Sequence, residues 1–289
     1  MSIPTKKLKN GFEMPVFGLG TWQMGGRFDR DPNNNDAADI QAIKNAIDAG
    51  IIHIDTAEVY AAGWAEKLIA QAVKGYDRKK LFLVSKAPSA DLSYDVVLKS
   101  AKASLRRLET DYLDLYLLHG PDLKHPIKET MKALDVLVAE GLVKNIGVCN
   151  FTVERFTEAQ SHTQNRLVAN QVHYNLIFRE PERKGVVEYC QKNDVLLIAW
   201  RPVQKGILTT TDNPFMKILT HKYQKTPSQI AINWLISQPN VVTLSKMTNP
   251  EHLKENLGAL DWKLEKEDIE KLDKEFPNQQ DVSDAVPLI

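Results

Sequence analysis

Four polar side chains stand where chemistry is easiest to build, at or just past the ends of apolar runs. Asp55 follows Ile51-Ile52-His53-Ile54, Lys86 follows Leu83-Val84-Ser85, His119 follows Leu115-Tyr116-Leu117-Leu118, and Tyr60 comes five residues after the aspartate. Each has an ordinary explanation by itself. An Asp-Thr pair caps a turn or helix, a lysine at a sheet edge reaches out to water, a strand-end histidine is a satisfied polar group, and a lone tyrosine packs half-buried. Taken together they describe a proton donor. A free phenol, with a reference pKa of about 10, is a reluctant acid near neutrality. A buried ammonium beside it favours tyrosinate and brings that value down. Lys86 can supply the ammonium, Asp55 can pair with a lysine that is costly to bury alone, and His119 can orient a substrate oxygen or share the proton. Such a group protonates an oxygen that gains negative charge.

For these side chains to meet, the apolar runs must be strands whose ends converge. Eight candidate strands, at 16–20, 51–54, 81–85, 112–118, 143–149, 169–173, 195–199 and 241–244, recur mostly at the spacing of a βαβ unit. Amphipathic stretches at 38–49, 65–74, 94–108, 130–140, 181–191 and 228–236 lie between them, and the longest gap holds an extra helix near 214–221. Apolar runs flanked by helices imply parallel strands buried on both faces. Eight such units close into a (β/α)8 barrel, in which functional residues gather after the C-terminal ends of the strands. Asn10-Gly11, between Leu8 and Phe12, signals an N-terminal hairpin because both residues tolerate positive φ. An open doubly wound sheet is the competing architecture. Gly18-Leu19-Gly20 starts like a dinucleotide fingerprint, but Gln23 stands where its third glycine belongs and no helical pattern follows at once; a P-loop and a G-x-S-x-G elbow are also missing. The expected class is therefore α/β, a TIM barrel with an N-terminal β-hairpin and extra C-terminal helices. It is read as a single domain over 1–289, since barrels exceed the usual domain length.

Composition narrows the function. Lys+Arg and Asp+Glu number 37 each, 43% of the 289 residues are hydrophobic and 26% are charged. That balance speaks against nucleic-acid or membrane-surface binding, although a local basic pocket stays open. The N-terminus has no apolar signal core, and no apolar run reaches the roughly 20 residues of a membrane span. Two cysteines, Cys149 and Cys190, make neither a disulfide scaffold nor a spaced metal site. A reducing, cytoplasmic setting and a metal-free site are expected.

Gly20-Thr21-Trp22, Asp55-Thr56-Ala57-Glu58-Val59-Tyr60, Ser85-Lys86, Leu117-Leu118-His119 and Gly147-Val148-Cys149-Asn150-Phe151 resemble the motifs of the aldo-keto reductase superfamily. The resemblance runs from the hairpin through Lys254-Glu255-Asn256, nearly the whole chain. It implies a barrel that binds NADP(H) in an extended form without a Rossmann domain, and hydride transfer to a carbonyl carbon with Tyr60 as general acid. It also assigns coenzyme contacts, beginning with Gly20 and Thr21. Asn150 and Gln171 match the residues that hold the carboxamide, for which their amides have both donor and acceptor. Cys149 stands where relatives usually have serine. Trp200 matches an aromatic that stacks on the nicotinamide, with core packing as its plainer reading. Arg201, commonly serine, can meet a phosphate or pair with an acid. Val203-Gln204-Lys205-Gly206 matches the loop over the pyrophosphate. In Ser245-Lys246-Met247-Thr248-Asn249-Pro250, Thr248 or Asn249 caps a helix whose N-terminus, with Lys246, clamps the 2′-phosphate. Glu255 and Asn256 lie near the adenine. Met247 replaces the usual serine and His252 the usual arginine, so NADPH is favoured and NADH is possible.

Trp22 matches a substrate-pocket residue. Trp64 either lines the same mouth or packs its helix, and the segment 27–35 is a solvated loop or part of the rim. Short segments after His119 and at 281–289 imply an open site accepting aldehydes and ketones broadly. The leading expectation is an NADPH-dependent carbonyl reductase acting on small molecules as a monomer or weak oligomer. The alternatives are a sugar or alcohol dehydrogenase run toward oxidation, and a coenzyme-binding regulatory subunit of a partner complex. The complete set of Asp55, Tyr60, Lys86 and His119 favours an enzyme.

Overall fold

The computed structural model describes residues 3–210, 212–276 and 283–289. The chain starts with an antiparallel hairpin, β1 (Thr5–Lys7) and β2 (Glu13–Pro15), in register Thr5↔Pro15. Its turn differs from the two-residue form expected. Leu8 N–H donates to the Phe12 carbonyl across three loop residues, and only Gly11 takes a positive φ, of 91°. Asn10 instead accepts from Phe12 N–H with its side chain, so the glycine alone carries the left-handed position.

Eight parallel strands close the barrel: β3 (Phe17–Gly20), β4 (His53–Asp55), β5 (Phe82–Ala87), β6 (Leu115–Leu118), β7 (Ile146–Cys149), β8 (Leu167–His173), β9 (Leu196–Trp200) and β10 (Val241–Ser245). β10 pairs with β3 in register Leu244↔Gly18, which completes the ring. Each expected strand is present. The outer layer comprises α1 (Asp36–Asp48), α2 (Trp64–Val73), α3 (Tyr94–Leu108), α4 (Ile127–Ala139), α5 (Val153–Ser161), α6 (Glu180–Arg183), α7 (Val186–Lys192), α8 (Pro214–Tyr223), α9 (Pro227–Ser237), α10 (Pro250–Leu257) and α11 (Lys266–Glu275). The single helix expected at 181–191 is two, broken at Gly185 with φ of 69°. None of the helices among the described residues is long and apolar enough to cross a membrane.

Strand alternation separates two cores. Phe17, Leu19, Ile54, Leu83, Tyr116, Leu118, Val148 and Leu197 face outward into the layer filled by the helices, as on α3, where Val97, Ala101, Leu105 and Leu108 recur at helical spacing. Val84, Leu115, Leu117, Ala169, Leu196, Ile198 and Val242 face inward, and Leu8, Phe12 and Met14 of the hairpin region pack into this inner core. The inner layer is tight. A Cβ on Gly18 would lie 2.2 Å from the His53 ring, so the glycine makes room for a buried imidazole. The same alternation aims Asp55, Lys86, Cys149, Gln171 and Trp200 inward at the C-terminal ends of their strands, one layer above that packing. The register sets Cys149 beside Gln171 and Gln171 beside Ile198.

The last residues return to this end of the barrel. Ile289 N–H donates to the Asn150 carbonyl, Thr152 N–H donates to the Ile289 carbonyl, and Lys184 Nζ donates to the Leu288 carbonyl. Positions 281 and 282 of the tail considered above lie outside the described residues.

Candidate active site

Lys86 is fully buried (0% exposed) and its Nζ lies 2.5 Å from Oδ1 of Asp55, itself 2% exposed. The ammonium also donates to the Thr56 carbonyl at 2.8 Å, and Gln171 Nε2 donates to the other aspartate oxygen at 2.8 Å. Burial pulls the lysine pKa down, and the Asp55 carboxylate more than offsets it, leaving Lys86 raised and protonated. Its Nζ stands 5.1 Å from the centre of the Tyr60 ring.

Tyr60 reaches this position through a strained turn. Ala61, Ala62 and Gly63 all take positive φ, 50°, 52° and 82°, and left-handed conformations in residues with a Cβ cost about 1–2 kcal/mol each. Such strain persists where the surroundings over-determine it. Here Ala61 N–H is fixed to the Arg27 carbonyl, and Gly63 lies against the Arg107 guanidinium. The expected fall in the phenol pKa does not occur. Burial pushes it up to about 12, outweighing the pull of Lys86, whose charge Asp55 largely balances. Tyr60 therefore rests as a neutral hydroxyl with a proton to give. His119 packs edge-on to it with ring centres 5.6 Å apart, and burial, aided by the Lys86 charge, lowers the imidazole to about 3. Burial likewise raises the Cys149 thiol, whose sulfur is 3.9 Å from Gln171 Oε1.

Asn150 follows an inward Cys149 and ordinary alternation would send it outward. A φ of 60° redirects it, and its amide donates to the His119 carbonyl at 3.4 Å. Thr21 closes the far side with its N–H and hydroxyl both on the Asp55 carbonyl at 3.0 Å. Gly20 passes so near Leu244 that a Cβ would lie 2.9 Å from its side chain.

Trp200 belongs to a three-ring stack. His173 lies between it and Phe178, 4.4 Å and 3.9 Å from their centres and nearly parallel to both. His173 Nε2 donates to Gln204 Oε1 at 2.7 Å and Nδ1 accepts from Ser283 at 3.0 Å, consistent with the neutral imidazole that burial enforces. Arg201, at φ 61°, sits over the Trp200 indole and pairs with Asp284, as does Lys205. An acid partner, one of the two expected for Arg201, is thus present. Both cations hold the Asp284 carboxyl low, at about 2. Val203, Gln204, Lys205 and Gly206 form the short turn after β9, and a Cβ on Gly206 would meet only the Thr209 hydroxyl, at 3.9 Å.

Lys246, at the end of β10, is exposed and reaches the Gln23 carbonyl at 3.4 Å. Asn249, not Thr248, caps α10. Thr248 and His252 are exposed beside that helix start, whereas the Met247 side chain is packed in the outer core. Glu255 accepts from Thr226, and Asn256 is buried. Asn150, Gln171, Trp200 and Lys246 close β7, β8, β9 and β10, four neighbours in the ring. A pair of amides, a flat indole, two cations and a distal lysine thus follow one another along the rim, a donor set that fits a dinucleotide laid across it.

The substrate side is aromatic. Trp22 packs edge-on against Tyr60 with centres 5.0 Å apart, and against Phe28 at 5.1 Å. Trp64 has the packing role. Its indole N–H donates to Asp36, Arg30 covers its face at 3.7 Å, and Gly25 lies against its edge. Sequence reasoning missed Phe28 and His173. Inward alternation two residues after Gln171 is a signal for His173; Phe28 leaves none, being one aromatic in a charged loop.

A model of the Aldo/keto reductase family matches residues 16–275. The chain is 34% identical over 271 residues to a glyoxal reductase of Bacillus subtilis, covering 93% of this chain and 91% of that protein. It is 33% identical over 268 residues to a methylglyoxal reductase of Escherichia coli, covering 91% and 92%. Among solved structures, a thermostable aldo-keto reductase bound to the inhibitor epalrestat superposes with a TM-score of 0.91 at 40% identity, over 94% of this chain and 100% of that one. An aldo/keto reductase of Klebsiella pneumoniae in complex with NADP and acetate gives 0.84 at 32% identity, over 96% and 97%. With a closed parallel barrel and a buried lysine–aspartate pair beneath a neutral tyrosine, the chain belongs to the aldo/keto reductase family of NAD(P)H-dependent oxidoreductases.

Proposed function

We propose that the protein reduces small aldehydes and ketones with NADPH, and also accepts NADH. One observation carries this reading: Tyr60 keeps its proton above a fully buried ammonium that is already charge-balanced. When bound, the nicotinamide supplies a hydride to the carbonyl carbon. Tyr60 gives its hydroxyl proton to the carbonyl oxygen as negative charge builds there, so the product is an alcohol. The phenolate left behind sits beside Lys86, whose ammonium is worth most in this water-poor layer. Asp55 holds Lys86, and Gln171 holds Asp55. His119, neutral and edge-on to Tyr60, orients the carbonyl oxygen with a ring N–H. Asn150 and Gln171 would hold the carboxamide, Trp200 would back the ring, and Lys246 with the start of α10 would meet the 2′-phosphate.

The test is Tyr60→Phe, which deletes the proton donor and keeps the ring. Reduction of methylglyoxal should fall by at least the ~10²–10⁴-fold typical of a general acid, while NADPH titration by fluorescence still shows binding. Near-normal turnover in the variant would overturn the assignment.

A further inference from the structure

Tyr60 stands at the head of a strained turn, and its place over Lys86 depends on what holds that turn. The holder lies outside the barrel. Arg107, in the last turn of α3, donates from Nε to Oε2 of Glu66 at 2.5 Å and from Nη2 to Oε1 of Glu58 at 3.0 Å. Glu58 comes two residues before Tyr60, and Glu66 lies in the first turn of α2, six residues after it. Between them the backbone takes its three positive φ values, and a Cβ on Gly63 would lie 2.6 Å from the same Nε. One guanidinium therefore packs on the Tyr60 segment before, within and after the strained turn. The other oxygen of Glu66 accepts from Ser85 Oγ at 2.6 Å, and Ser85 precedes Lys86 on β5, the two side chains taking opposite faces of the strand. The chain of contacts thus runs from the segment carrying the phenol to the strand carrying the ammonium.

An arginine near a helix C-terminus has an ordinary explanation, a favourable end charge with ion pairs added. The surroundings of this one argue for more. The Glu66 side chain is 0% exposed and that of Arg107 19%, so the fork works where an unpaired carboxylate is costly and two-point binding is specific. Among the described residues Glu58 has no hydrogen-bond partner besides Arg107, its Oε2 being buried and unbonded. The Tyr116 hydroxyl, buried in the field of both carboxylates, makes no bond to either. Left-handed Ala61 and Ala62 persist only where their surroundings over-determine them, and the other tie, Ala61 N–H on the Arg27 carbonyl, fixes a single point of the turn. Without the guanidinium, Glu58 has solvent to turn to and the backbone from Ala61 to Gly63 has conformations of lower energy. Both movements carry Tyr60 with them.

We propose that Arg107 is a positioning residue for carbonyl reduction: its bonds to Glu58 and Glu66 hold the turn that fixes the Tyr60 hydroxyl over Lys86. It acts through Tyr60 and meets no reacting group itself. The inference rests on the reductase reading and deepens it. A misplacement of about 1 Å in a group that must meet its partner costs about 100-fold in rate, so a residue outside the barrel can matter to the reaction nearly as much as one inside it.

The experiment is a double-mutant cycle. Arg107→Lys and Glu58→Ala, each alone and combined with Tyr60→Phe, are assayed for single-turnover reduction of methylglyoxal, on protein whose near-ultraviolet circular dichroism matches wild type, and NADPH dissociation constants are taken by fluorescence. Arg107→Lys keeps a positive charge and loses the fork, so the rate should fall about 100-fold with the NADPH constant held within about twofold. Glu58→Ala leaves the buried Glu66 pair intact and decides the matter should Arg107→Lys not fold; it should lower the rate about tenfold. In the Tyr60→Phe background no phenolic proton is left to position, and neither change should cost more than about threefold. A folded variant that keeps the wild-type rate, or one that loses as much in the Tyr60→Phe background as without it, makes the cluster a structural ion pair only; that overturns the inference and leaves the Tyr60 assignment standing. Near-normal turnover in Tyr60→Phe alone overturns the assignment of the acid, and the inference falls with it.

Discussion

Tyr60 and His119 face each other with their protonation states driven apart by burial, the phenol up to about 12 and the imidazole down to about 3. Neither group should titrate in the ordinary working range. We expect kcat/KM for reduction to be level between pH 5 and 9, without an inflection near 6.5, and to decline only in alkali as Tyr60 loses the proton it is proposed to give. Steady-state rates across a constant-ionic-strength buffer series check this, and an inflection between 6 and 7 would make His119 a titrating participant. The four candidate catalytic side chains were legible because each falls at or just past the C-terminal end of an apolar run, where a barrel directs chemistry inward. The sign of the Tyr60 shift was not. A sequence shows that a lysine can approach the phenol, but not how deeply both are buried, nor that Asp55 balances the charge at 2.5 Å.

At the scale of elements, the eight strands were readable because parallel strands buried on both faces are nearly continuous apolar runs. Less was readable where backbone geometry overrides pattern. Gly185 divides what side-chain periodicity presents as one helix, and the left-handed Asn150 brings to the pocket a side chain that alternation would turn away. The segment from Ser245 to α10 shows a further effect. Asn249 caps the helix and Lys246 precedes it, and exposed His252 stands in the first turn, where an imidazole lacks the bidentate fork of an arginine. His252→Arg should add a charge-assisted bond worth about 1.5–3 kcal/mol at the 2′-phosphate. NADPH should then bind about one to two decades tighter, with NADH changed little because it has no phosphate there. Dissociation constants for both coenzymes on wild type and variant decide the matter, and equal tightening would show that the segment does not meet the 2′-phosphate.

Three histidines, His53 and His173 buried and His119 half-buried, have folded pKa values well below the ordinary 6.5: His53 at about 4, His119 at about 3 and His173 at about 4, each chiefly through desolvation. His53, against Gly18 inside the barrel, has neither ring nitrogen bonded. Unfolding frees these rings to take a proton. The stability they contribute is therefore fully present above pH 6.5 and is lost as pH falls from there toward 4, at up to about 1.4 kcal/mol per histidine per pH unit. Urea midpoints at pH 7, 6 and 5 should fall progressively, and His53→Leu should flatten part of that slope; a midpoint constant from 7 to 5 would contradict it. The return of the tail to the barrel, through Ser283 on His173 and Ile289 on Asn150, also belongs to this scale. It joins residues more than a hundred positions apart, which no local pattern announces.

Aldehydes are electrophiles as well as substrates: they condense with free amines and add to thiolates. Lys86 and Cys149 are the nucleophiles nearest the reaction centre, and both are kept in unreactive form, the amine as an ammonium by Asp55 and the thiol by its burial. The enzyme should therefore survive prolonged exposure to reactive dicarbonyls. Borohydride added to such a mixture should fix no adduct on the Lys86 peptide by mass spectrometry. Asp55→Asn removes the charge that holds the proton and leaves burial to pull the amine toward its neutral form, so Lys86 should then be trapped as a reduced imine. The ion pair proposed to support proton transfer would then also protect the protein chemically from reactive carbonyl compounds.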